Sequence, residues 1–142
     1  MKYHFKIHKG KKFLWAECLE LKGCLTQGEN REHLQLMMDD ALSAYLDEPE
    51  GSKHIFPMPD PSLKGRNIVT ASVDTKTAMA MVLRQSRLQM KLTQRQVADK
   101  LGMKHIFQYQ KLESGKTANP ELATLSKLKT VFPNLSVDSV LN

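Results

Sequence analysis

Residues 92–120, LTQRQVADKLGMKHIFQYQKLESGKTANP, decide the fold. Thr93 followed three positions later by Gln96 fits a capping box, in which each side chain satisfies a backbone N–H at a helix start. Val97, Ala98 and Leu101 then form the buried stripe of a short helix. Gly102 is placed to end it as a left-handed cap, a conformation that costs glycine nothing sterically. The next helix is expected from about Lys104 to Glu113, closing at Ser114-Gly115. Asn119-Pro120-Glu121 supplies a further start, with asparagine as N-cap and proline at N1, and Pro133 stops that helix. Upstream, Asp74 is expected to cap a helix carrying Ala78, Met79, Val82, Leu83 and Met90. Residues 74–142 therefore read as an all-α domain.

The first half has a different period. Tyr3-His4-Phe5-Lys6-Ile7-His8 alternates apolar and polar side chains as a half-buried strand does. Lys9 to Lys12 supply a turn, Phe13 to Leu19 a second strand, and Cys24 to Gln27 a short third one. From Arg31, with Asn30 as N-cap, the residues Leu34, Met37, Met38, Ala41, Leu42, Tyr45 and Leu46 fall on one helix face. Pro49 and Gly51 close that helix, and residues 49–66, with four prolines, form a connector outside helix or central strand. Asn67 to Val73 is β-branched and alternating, a last strand returning to the first sheet. The expected fold class is α+β, a β-β-β-α-β domain over residues 1–73 followed by the helical one.

The 142-residue chain carries a net charge of +6. Residues 1–78 hold eleven basic and eleven acidic side chains, whereas residues 79–142 hold ten basic and four acidic. The whole surplus lies with the helical half, as expected of a domain that approaches a polyanion. Two short helices joined at Gly102 form a helix-turn-helix, whose second member is free to enter a major groove. Lys104, His105, Gln108 and Lys111 are its expected exposed residues, donors and amides suited to base edges and phosphates. Gln94 lies in the first turn of the preceding helix, where a phosphate is favoured. With Thr93, Arg95 and Lys116 these complete the candidate DNA-binding set. A helical hairpin with a merely solvated basic face is the plain alternative, and the charge segregation argues against it.

Other chemistries find little support. Cys18 and Cys24 are too few for a disulfide framework and read as buried thiols. Hydrolysis with two metals needs several converging carboxylates, but Asp39 and Asp40 point about 100° apart on a helix. With Glu17 and Glu20 the only other acids at hand, a solvated helix face is the expected role and the module reads as a binding scaffold. His4, His8, His33, His54 and His105 lack metal-ligand grouping and are taken as surface residues, so neither a metal nor a cofactor is expected. The basic, non-apolar start is unlike a signal peptide, and no run of about 20 apolar residues suggests a membrane span. The expected location is the cytoplasm.

Residues 79–132, through LTQRQVADKLGMK and YQKLESGKTANPELATLSKL, resemble the lambda-repressor-like (Xre-type) helix-turn-helix family. In that family a glycine, here Gly102, separates scaffold and recognition helices, and a segment matching Leu112-Glu113-Ser114-Gly115 closes the recognition helix. The stretch from Gly102 to Leu112 is one residue longer than usual, a shift of about 100° if a helix absorbs it. Leu21-Lys22-Gly23-Cys24, Thr26-Gln27-Gly28 and residues 56–62 resemble the HicB antitoxin pattern. That resemblance implies a partial ribonuclease-H-like first domain that silences a HicA-type mRNA ribonuclease, and a second domain that represses the operon. Double-stranded operator DNA and a HicA-type toxin are the implied partners. A homodimer or higher oligomer is expected because one short helix reads few bases. The alternative is a stand-alone transcription regulator with a sensing or oligomerising first domain, and a metal-dependent ribonuclease is the weakest reading.

Overall fold

Alternation along the first strand builds the sheet. In the computed structural model, which describes residues 1–142, β1 (Lys2–Lys9) buries Tyr3, Phe5 and Ile7 on one face. It lies between β2 (Leu14–Cys18) and β4 (Ile68–Ser72), while β3 (Leu25–Gly28) pairs β2 at the edge. All three pairings are antiparallel, and Phe5 stands opposite both Cys18 and Val69.

Helix α1 (Arg31–Leu46) packs on this sheet. The Asn30 side chain accepts the His33 N–H at 2.9 Å, the N-cap that the sequence suggests. Leu34, Met38, Leu42 and Leu46 are buried at a strict four-residue spacing, each worth about 1.5–3 kcal/mol. Met37, Ala41 and Tyr45 flank this stripe half-buried, so the apolar face is narrower than expected. Residues 47–67 contain no helix or strand, and this long connector lets β4 return antiparallel to β1.

The histidines of β1 correct the sequence reading. His4 is not a plain surface residue, because Nδ1 lies 2.7 Å from Glu20 Oε1 and its side chain is 13% exposed. Glu20 also accepts the backbone N–H groups of His4 and Asp60, tying the strand to the proline-rich connector. His8 stacks on Trp15 and bonds Glu17. A central strand covers part of its polar face by such pairs, which periodicity does not reveal. Cys18 and Cys24 are buried free thiols, and burial pushes them up to about 12 and about 11 respectively.

By compactness the chain divides into a sheet unit, Met1–Leu46 with Phe56–Asp74 and Asn142, and a helical unit, Asp47–Ile55 with Thr75–Leu141. In the helical unit α2 (Thr75–Gln89) is buried from Thr77 to Gln85 and again at Arg87, whereas Met90 is 48% exposed. Helix α3 (Gln94–Lys100) begins with the full Thr93–Gln96 capping box, and Gly102 has φ +72 as its glycine character requires. Helix α4 (Ile106–Gln110) starts two residues later than expected, and a 3-10 turn, Lys111–Glu113, completes it. Helix α5 (Leu122–Val131) also starts later, with Glu121 and not Asn119 as N-cap. Its first i→i−4 bond runs from Leu125 to Glu121, leaving Pro120 outside. Leu128, Phe132, Leu135 and Val140 are buried near the C-terminus of this unit. No helix is long and apolar enough to cross a membrane.

Candidate nucleic-acid interface

A buried polar network holds α4 against α2 and α3. Glu113, with a side chain 4% exposed, receives Arg87 Nε at 2.6 Å and Nη2 at 3.0 Å. Arg87 Nη1 donates to the Leu92 carbonyl at 3.1 Å, the Tyr109 hydroxyl to Glu113 at 2.6 Å, and Gln94 Nε2 to Glu113 at 2.9 Å. Burial opposes the charge on Arg87, but the hydrogen bond and charge of Glu113 outweigh it and raise its pKa. Burial likewise drives the Tyr109 phenol well above its ordinary range, so it stays a donor. Sequence reading missed this network because its members are spread from residue 87 to 113. The one local hint is a Tyr and a Glu four residues apart just before Ser114-Gly115.

The network presents the outer surface of α4. Tyr109 and Leu112 face inward at 0% and 7% exposure, leaving Phe107, Gln108 and Lys111 outside. Lys104 and His105 are exposed but precede the helix, in the turn and at the N-cap respectively, which corrects their expected place on the helix. Gln108 Oε1 accepts the His105 N–H at 3.1 Å, so its outward group is the amide donor, suited to acceptors such as purine N7 or thymine O4. Lys104, Gln108, Thr124 and Lys127 line one hollow of about 360 Å³, which adds Lys127 to the site. No sequence spacing links Lys127 to Gln108, since α5 delivers it through the tertiary fold.

The remaining candidates fall elsewhere. Gln94, expected to meet a phosphate, is half-buried and committed to Glu113, while its Oε1 accepts from Gln110 at 3.3 Å. Gln94, Gln110 and Lys116 share a second hollow, of about 250 Å³, with Asp47, Glu48 and Glu50. Gln110 Nε2 donates to Glu50 at 2.6 Å. That end carries acidic charge, so the phosphate-friendly end is the one with Lys104 and Lys127. Thr93 is exposed and occupied by capping, and Arg95 is exposed on the first turn of α3. Arg84 and Arg87 are internal, yet residues 79–142 still show eight exposed lysines and arginines against three exposed acids. The basic surface survives that correction.

Residues 83–138 match the helix-turn-helix family HTH_3. The chain thus contains a helix-turn-helix domain of the Xre, lambda-repressor-like type, which supports a DNA-binding role. A search of curated proteins returned no match.

Proposed function

We propose that this chain is a HicB-type antitoxin that neutralises a HicA-type mRNA ribonuclease and represses its own operon. The observation that carries the DNA-binding half is the outer surface of α4 and its flanking turns, where Gln108 on the helix and Lys104 and Lys111 on either side of it stand exposed in a helix-turn-helix domain. Long-range attraction to phosphates supplies affinity, and the side chains of α4 supply sequence preference. A two-fold operator and a homodimer fit this reading, because five residues of helix reach few base pairs.

The antitoxin half rests on the HicB resemblance and on the character of the sheet unit, which we assign as its partial ribonuclease-H-like domain. Leu25 on the edge strand β3 and Leu36 on α1 are 58% and 64% exposed, apolar groups that a protein partner can cover. We hold this unit to be a binder, not an enzyme. Asp39 accepts the Ser72 N–H at 2.8 Å, Glu20 secures His4, and Glu17 secures His8, so these carboxylates serve the sheet. Blocking a ribonuclease surface requires cover and no chemistry.

Co-expression with a small basic protein encoded next to this chain tests the proposal. The two are expected to co-purify, and the chain is expected to restore growth that the neighbour alone arrests. Absence of such a pair, with operator binding intact, would leave the stand-alone regulator with a sensing or oligomerising first domain.

A further inference from the structure

Phe107 is 51% exposed on α4, an aromatic ring among charged and amide side chains. Two side chains lie against it. The His105 ring stacks on it at 5.5 Å between centroids, and Lys111 Nζ lies 5.5 Å from the Phe107 centroid. Tyr109 and Leu112 already fill the inward face, so Phe107 is not a core residue displaced outward. An exposed ring with two such neighbours is available for a contact beyond the protein.

The charge around it selects the occupant. Lys111 beside the ring and Lys104 in the turn before the helix are exposed and would repel the same face of a second copy, whereas phosphates would welcome them. The floor of the major groove offers one apolar feature, the C5-methyl of thymine. We infer that Phe107 is a specificity-determining residue that packs against a thymine methyl in the major groove, an inference that rests on the DNA-binding reading of this face. The neighbouring Gln108 amide donor complements it, because thymine O4 and purine N7 are acceptors. Cytosine at the same place offers an amino group and no methyl, so the ring disfavours it.

The full chain is first used to enrich duplexes from a randomised pool, at low salt so that weakened variants remain measurable. Each thymine of the enriched sequence is then replaced singly by uracil, which removes only the methyl. At one thymine, with its symmetry mate where the site is two-fold, the wild-type chain is expected to bind about four-fold more weakly, the worth of one buried methyl. Phe107→Ala should bind thymine and uracil duplexes equally at that position, Phe107→Leu should keep part of the difference, and Gln108→Ala should keep all of it. Tolerance of uracil at every position, or a loss that persists in Phe107→Ala, overturns the methyl contact while leaving DNA binding in place. Failure to enrich any sequence overturns both.

Discussion

Replacing Glu113 with alanine is expected to destabilise the helical unit by about 3–5 kcal/mol, the cost of stranding one member of a buried ion pair. Arg87, 7% exposed, would keep its charge and lose both bonds to the carboxylate. The Tyr109 hydroxyl and the Gln94 amide would lose their acceptor as well. Domains of this size hold only about 5–15 kcal/mol in all, so α4 would be loosened or lost. Urea unfolding followed by far-UV circular dichroism checks this, since most of the helix lies in this unit. The double variant Arg87→Met/Glu113→Leu should recover much of the loss, because it removes the stranded charge along with its partner. A shift in Glu113→Ala below about 1 kcal/mol would mean that water reaches Arg87 and that the network does not fix the recognition helix.

Gly28→Ala is expected to cost the sheet unit about 3 kcal/mol, the upper end of ordinary overpacking. Gly28 ends β3, and a Cβ there would sit 2.6 Å from the Leu34 backbone N and 2.7 Å from its Cα. Those atoms belong to the helix backbone, so relief requires α1 to move away from the strand. Leu34, fully buried, would move with it. Trp15 lies opposite Gln27 in the adjacent strand, and its fluorescence reports the transition. An alanine variant as stable as the parent would show that α1 does not press on β3 as described.

Much of the fold was legible because local chemistry and tertiary structure agree. Alternation at Tyr3, Phe5 and Ile7, the Asn30 cap, the Thr93–Gln96 box and the left-handed Gly102 are each specified within a few residues. The start of α4 was not, because Lys104 and His105 are compatible with either a turn or a helix and only the long turn decides. Asn119-Pro120 carried a proper start signal that the chain leaves outside α5. The candidate site was half legible. Exposed Gln108 and Lys111 follow from helix phase, and so does Phe107, which lies off the Tyr109–Leu112 stripe and could have been found from it. Gln94 was misjudged because its partners, Glu113 and Gln110, come from a distant part of the sequence. Acidic Asp47, Glu48 and Glu50 beside Lys116 were equally hidden, since the chain order assigns them to the connector.

The most direct measurement is the binding of the full chain to a duplex from immediately upstream of its coding region, against a scrambled duplex, over a range of salt. Binding to the upstream duplex should weaken with salt along a log–log slope of about −0.9 for each phosphate contacted, and exceed binding to the scrambled duplex by about 10³ or more. Lys104→Ala or Lys111→Ala should flatten that slope by about one unit. Association that ignores salt, or that treats both duplexes alike, would contradict a sequence-reading role for the surface of α4.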